Sequence, residues 1–285
     1  MFRTIKYFFQ AFLIYIFFIL AKIIGLNLSR ILSTSIFKLF APMFKSKLII
    51  ENNLSIFSKK ILSSNKKEII SDMWENYGIT FIEYVFLDYY KKNSSHIKII
   101  GQENLNKVIE KKKPVIFISG HFANFELMSM EITKKGIPLA TIYRPLNNFF
   151  LNPFMEFLRK KFICKHQIKK GIKGVREAIE YIQKGFSIAL MIDQRVSEGI
   201  KVNLFGKPAL TTTLPAQLAL KYNLSIVPVF IRRTRDNKFV LEFYQEINTN
   251  EFSEKIKLSQ KLNQVLEKMI SKNPGQWIWT HNRWK

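Results

Sequence analysis

The chain has 285 residues, 47% of them hydrophobic, with 45 Lys plus Arg against 21 Asp plus Glu. That length holds one large domain, or at most two small ones, with a substantial core, and the apolar share excludes a disordered polymer. The formal charge of +24 points to an anionic partner: nucleic acid, a membrane surface, an acidic protein or a phosphorylated substrate. A single cysteine, Cys164, excludes a disulfide scaffold and Cys-based structural zinc.

Residues 7–21, YFFQAFLIYIFFILA, carry one strongly polar side chain, Gln10, and the apolar stretch runs on to Leu26. About 20 helical residues span roughly 30 Å, one bilayer core. The stretch predicts a transmembrane or deeply embedded anchor over 1–26. A signal peptide fits less well, because the run exceeds the usual apolar core and no small-x-small site follows. A buried core helix is the other reading. Basic residues flank both ends, with the larger excess on the C-terminal side, which favours a cytoplasmic main body. Residues 28–50 mix apolar and basic residues and read as a second helix, lying along the interface or against the domain.

Apolar residues from Ile69 to Tyr89 recur at three- and four-residue steps, predicting one long helix over 66–92 that Gly78 weakens slightly. From there strands and helices alternate. IKII (97–100), VIFISG (115–120), PLATIY (138–143), FSIALMID (186–193), SIVPVFIRR (225–233) and KFVLEFYQ (238–245) read as strands. Helices are expected over about 103–112, 124–134, 149–163, 172–184, 211–221 and 252–272. This order implies an α/β fold: a central, largely parallel mixed sheet flanked by helices, behind an N-terminal membrane helix. The expected division is an anchor (1–26), a helical membrane-proximal region (27–95) and an α/β domain (96–285).

Sites in such sheets gather at the carboxyl ends of strands. Two predicted strands end in chemically pointed residues, His121 and Asp193. In SGHFANFE, His121 precedes Glu126 by five positions. On one continuous helix the two would point about 140° apart. The pair therefore works only if His121 sits in the turn ahead of the helix and Glu126 in its first turns. A carboxylate beside an imidazole fixes one tautomer and stabilises the imidazolium, and such a histidine takes a proton from a hydroxyl. A plain surface pair is the alternative. His96, His166 and His281 have no ligand neighbours at helical spacing, so no metal is expected. Cys164, two residues before His166, is a competing nucleophile.

SGHFANFE, IYRPLNN (142–148), IDQ (192–194), VNLFGKPALTT (202–212), PAQLAL (215–220), IVPVF (226–230) and QWIWTHNRWK (276–285) occur in one order. As a set they resemble the bacterial lipid A biosynthesis late acyltransferases, the lauroyl/myristoyl transferase family, over nearly the whole chain. That family belongs to a broader group of glycerolipid acyltransferases with a His-x4-Asp/Glu pattern. The resemblance implies that His121 is the general base and Glu126 its dyad partner. It makes Arg144 and Arg159 anion-binding residues and Asp193 the acidic residue of the third block. Asn147, Asn148 and Gln194 match neighbouring positions. One departure is Ala123, where the family often has Gly; no loss of activity is expected from it. Another is the short segment after Asp193.

The implied reaction moves a fatty acyl chain from an acyl carrier protein thioester to a hydroxyl of a lipid A precursor at the inner membrane, on the cytoplasmic side, without cofactor. The basic surface then faces an acidic carrier protein, a phosphorylated acceptor and anionic lipid. A 1-acyl-glycerol-3-phosphate acyltransferase is the enzyme alternative. A membrane-tethered nucleic-acid-binding protein is the other, although no compact basic motif with interleaved aromatics is present. Trp277, Trp279 and Trp284 read as an interfacial belt or, better, as core or a cover on the sheet.

Overall fold

The computed structural model describes residues 2–57 and 63–285. Helix α1 covers Phe2–Ile24 and α2 covers Leu26–Phe40, parted at Gly25. A 3₁₀ turn (Ala41–Phe44), α3 (Lys47–Phe57) and α4 (Ser63–Glu83) follow. The helix expected over 66–92 is interrupted: Tyr84–Phe86 form a 3₁₀ turn before α5, Leu87–Lys92. Aromatic and β-branched residues lose rotamer freedom in a helix, and three of them stand together here. Gly78 does not weaken α4. A Cβ there would lie 2.7 Å from the Ser33 carbonyl oxygen, so the glycine lets α2 pack directly on α4, where the Ser33 hydroxyl donates to the Gly78 carbonyl at 2.7 Å.

The α/β part then runs β1 (Ile97–Ile100), α6 (Gln102–Lys111), β2 (Ile116–Ser119), α7 (Glu126–Lys134), β3 (Leu139–Tyr143), α8 (Asn152–Leu158), β4 (His166–Lys169), α9 (Ile172–Gln183) and β5 (Ser187–Met191). It continues with β6 (Ile200–Leu204), β7 (Lys207–Thr211), α10 (Leu214–Tyr222), β8 (Ile226–Arg233), β9 (Phe239–Phe243) and α11 (Lys255–Lys272). Seven strands form one sheet in the order β1-β9-β8-β2-β5-β3-β4, with only the β8–β9 pair antiparallel. This is a mixed, largely parallel α/β sheet.

Two features lie beyond the sequence expectations. β4 is a short edge strand of mixed polarity, HQIK, too brief for a period to register. β6 and β7 form an antiparallel hairpin closed by Phe205 and Gly206, both at positive φ. A two-residue turn with two positive φ values is the form that matches strand twist. The expected helix over 149–163 splits into α8 and a π-type turn, Arg159–Ile163. In α11, Leu258, Leu262, Leu266 and Ile270 recur at four-residue steps and are fully buried, each stabilising by roughly 1.5–3 kcal/mol. Trp277 and Trp279 are buried too, their rings 4.7 Å apart and perpendicular, so these two belong to the core and not to an interfacial belt.

α1 is long and apolar enough to cross a membrane by length and composition. Only Ala11, Phe18 and Ala21 of it are buried. Ile14, Tyr15 and Phe17 are partly buried against the core, most of its other apolar side chains are exposed, and Leu28, Ile31, Met43 and Phe44 of the next elements extend the apolar surface. An exposed apolar surface of this kind marks a contact with lipid or a partner. Near its C-terminal end Lys22 pairs with Asp88 at 2.8 Å.

A buried charge cluster locks these helices to the sheet. The Glu83 carboxylate is fully buried and accepts from Arg30 of α2 at 2.8 Å, Tyr90 of α5 at 2.8 Å and Arg233 of β8 at 2.9 Å. It also accepts from the Asn124 amide at 3.0 Å, which ties the cluster to the turn carrying His121. Burial pushes the Glu83 carboxyl up, and the two guanidinium groups more than offset this, so it sits below the usual carboxylate range.

Candidate active site

β2 and β5 are parallel neighbours, with Ser119 opposite Met191. Two residues further along each strand lie His121 and Asp193, so the register itself brings them together. The His121 ring nitrogen Nδ1 is 2.7 Å from Asp193 Oδ1. Asp193 Oδ2 accepts from the His121 backbone N–H at 2.8 Å and from the Trp277 indole N–H at 2.9 Å. An ionised carboxylate only accepts, so Nδ1 carries the proton and Nε2 presents its lone pair. Gly120 makes room for this contact: a Cβ there would lie 2.7 Å from the Phe122 ring and 3.2 Å from Asp193 Oδ2.

Burial lowers the His121 pKa, but the Asp193 charge and hydrogen bond, helped by Glu126, raise it above the ordinary histidine value. Burial raises Asp193, and the His121 charge and the hydrogen bonds outweigh that, so it stays ionised. Asp193 is 0% exposed and lies behind the imidazole. It contacts the imidazole and is not among the residues that line the cleft.

Glu126 is placed differently from expectation. It opens α7, and its Oε1 accepts from the Tyr84 hydroxyl at 2.5 Å and from Arg159 Nε at 2.7 Å. The hydrogen bond expected between His121 and Glu126 is not formed, because Asp193 from the adjoining strand end occupies Nδ1. The Glu126 charge still favours the imidazolium. Arg159 opens the π-type turn, a device frequent at functional sites, and is nearly buried. Its guanidinium lies over the Tyr84 and Tyr143 rings, 5.8 and 5.5 Å from their centroids, and the Glu126 and Tyr84 contacts hold it charged.

His121, Glu126 and Arg159 line a cleft of about 630 Å³, as do Arg144, Asn147 and Gln194. Its apolar wall includes Phe125, Met128, Ile142, Leu190 and Leu214. Arg144 is exposed at the mouth, with Nη2 donating to Asn147 Oδ1 at 3.4 Å. Asn148 does not line the cleft. Its amide donates to the Tyr7 carbonyl of α1 at 2.8 Å while its Oδ1 accepts from the Phe150 N–H at 3.1 Å, so it tethers the loop to the first helix. Tyr84, Trp277, Lys45 and Lys170 are the additions that sequence reasoning missed as site residues.

Ala123, in the same turn, has φ of +43°. A left-handed residue with a Cβ costs about 1–2 kcal/mol, partly offset by the greater entropy glycine loses on folding. Ala123→Gly should therefore stabilise the protein by about 0.5–1 kcal/mol, read as a raised thermal midpoint with turnover unchanged. A lowered midpoint would contradict the strain.

Cys164 is buried, its thiol donating to the Leu139 carbonyl at 3.0 Å. Burial pushes the thiol up to about 11, outweighing its neighbours, and the residue does not line the cleft. A nucleophile needs the thiolate and access, and this group has neither. Cys164→Ala should leave turnover within about twofold of the parent, whereas a covalent mechanism predicts a loss of two or more orders of magnitude.

A histidine lone pair backed by a buried carboxylate and opening on a cationic cleft is equipped to activate a hydroxyl, which defines an enzyme of hydrolysis or group transfer. The family model for bacterial lipid A biosynthesis acyltransferases matches residues 1–285, and the chain belongs to that family. It is an acyltransferase. It is 23% identical over 243 residues to the lipid A biosynthesis lauroyltransferase of Escherichia coli (strain K12), covering 83% of this chain and 78% of that protein. A lipid A biosynthesis acyltransferase of Haemophilus influenzae is 22% identical over 245 residues, 83% of this chain and 76% of that one. Among solved structures, the 1-acyl-sn-glycerophosphate acyltransferase PlsC from Thermotoga maritima is similar with a TM-score of 0.43 and 14% identity, over 95% of this chain and 99% of that one.

Proposed function

We propose that this acyltransferase moves a fatty acyl chain from an acyl carrier protein thioester to a hydroxyl of a lipid A precursor, on the cytoplasmic side of the inner membrane. The observation that carries the reading is the 2.7 Å contact between His121 Nδ1 and Asp193 Oδ1, which leaves Nε2 free beside a cleft lined by cations. His121 Nε2 takes the hydroxyl proton as the oxygen attacks the thioester carbon. The tetrahedral oxyanion collapses and expels the carrier thiolate, which recovers the proton from the imidazolium. A thioester is already activated, so no acyl-enzyme is formed. Asp193 holds the imidazole tautomer, and Glu126 supplies negative charge beside it while fixing Arg159. Arg159 lends positive charge to the developing oxyanion. Arg144, with Asn147, receives an anionic group of the acceptor at the mouth.

The basic surface suits an acidic carrier protein and anionic lipid, each nearby Lys or Arg contributing about 1 kcal/mol. The anchor of residues 1–26, with the helical region 27–95, holds the α/β part 96–285 at the bilayer surface. Mass spectrometry of lipid A from cells with and without the protein tests the reading. The expected result is a loss of one acyl chain's mass without it. An unchanged lipid A, or a purified protein that acylates only lysophosphatidate, would overturn it.

A further inference from the structure

Among the described residues, three cations of the cleft have no carboxylate partner. Lys45, Arg144 and Lys170 all line it, all are exposed, and among the described residues none forms an ion pair. The neighbouring Lys169, by contrast, turns to Glu156 at 3.3 Å. Glu126 is the one carboxylate among the lining residues, and Arg159 already neutralises it.

The three arrive from separate parts of the fold. β3 and β4 are parallel, with Tyr143 opposite Lys169, so Arg144 and Lys170 leave the strand ends side by side; the Lys170 N–H donates to the Tyr143 carbonyl at 2.8 Å. Lys45 comes from the helical region instead, directly after the 3₁₀ turn. Its predecessors Met43 and Phe44 are 75% and 81% exposed, on the apolar surface that α1 and α2 present. A lysine at such a junction lies at the level of lipid headgroups. Like charges gathered in one cleft repel unless an anion joins them. Arg offers a planar fork and Lys a point charge, a combination suited to phosphate oxygens.

We propose that Lys45 and Lys170 complete, with Arg144, a subsite for a lipid-borne phosphate on the acceptor. The inference rests on the proposed transfer reaction and deepens it. The subsite binds the acceptor and not the donor, because Lys45 stands where the apolar surface meets the cleft, the side from which a lipid enters. The acceptor's phosphate then sits at the mouth while its hydroxyl reaches His121 in the same cleft.

The test is equilibrium binding by the full chain in nonionic detergent micelles. The probes are a phosphorylated lipid A precursor and the same lipid after phosphatase treatment. Lys45→Ala and Lys170→Ala should each raise the Kd for the phosphorylated lipid about tenfold, with less than a twofold change for the dephosphorylated one. Lys170→Arg, which keeps the charge, should retain most of the affinity and separates lost binding from lost folding. An equal loss for both lipids would assign the lysines to structure and overturn the subsite. So would unchanged lipid affinity with reduced binding to acceptor-free vesicles containing anionic phospholipid, which would assign the lysines to bilayer headgroups. Binding is read without turnover. A protein that binds the phosphorylated lipid through these lysines yet transfers no acyl chain keeps the subsite and refutes the reaction. Normal transfer with unchanged affinities does the reverse.

Discussion

Asp193→Asn should reduce acyl transfer by about four orders of magnitude while leaving the fold intact, a magnitude taken from the equivalent change in the Ser-His-Asp triad of a serine protease. The reason lies in the donors around the carboxylate. Oδ2 accepts from two N–H groups, the His121 backbone and the Trp277 indole. An asparagine must place its oxygen there, since its NH₂ would face two donors. The NH₂ then points at His121 Nδ1 and donates to it. That forces the proton onto Nε2, the atom that must receive the hydroxyl proton. In the parent enzyme kcat/KM should rise with pH along a limb set by His121, placed above the ordinary histidine value because Asp193 and Glu126 favour the imidazolium. Removing the Asp193 charge lowers the imidazole pKa, so the residual activity should show its limb at lower pH. A pH-rate profile of the variant checks both points, and a variant with near-parental turnover would remove Asp193 from the mechanism.

Glu126→Gln should act on stability as well as rate. Arg159 is nearly buried and Glu126 is its carboxylate partner, at 2.6 Å. Removing one member of a buried pair leaves an uncompensated charge and costs about 3–5 kcal/mol. The thermal midpoint should fall by several degrees. Glu126 raises the His121 pKa and Arg159 lowers it. Loss of the carboxylate therefore moves the acid limb of the rate profile downward. Glutamine keeps the side-chain shape, so cavity formation does not account for the loss. A dyad in which Glu126 itself orients the imidazole predicts the larger rate loss here and the smaller one at Asp193; the structure predicts the opposite order.

The site was partly legible in the sequence. Buried apolar runs marked β2 and β5, and each was seen to end in a titratable residue. What one-dimensional spacing does not encode is that the two strands are neighbours in register, so the sequence offers Glu126, five positions away, as the partner of His121 and not Asp193, 72 positions on. Glu126 and Arg159 both stand out in the sequence, but their mutual pairing depends on the π-type turn, which a 3.6-residue period hides. In the sequence Trp277 stands out only as part of a tryptophan-rich ending, because its indole reaches Asp193 across 84 positions. Lys45 and Lys170 carried no local signal, since a lysine in a lysine-rich chain means something only once its neighbours are known. The β6–β7 hairpin did carry one, in the alternation on either side of Phe205-Gly206. The long helices and the buried strands were the easiest to read, because they are set by apolar period and length.

In the proposed reaction the His121 imidazole removes the acceptor's proton as the acyl chain transfers directly. Single-turnover transfer from acyl carrier protein thioester to a lipid A precursor, followed by mass spectrometry with parent and His121→Ala protein, tests it most directly. The expected result is a product heavier by one acyl group with the parent, no acylated protein at any time, and a loss of about 10²–10⁴-fold with the variant. Product formation by His121→Ala at the parental rate, or an acyl group trapped on the protein, would contradict it.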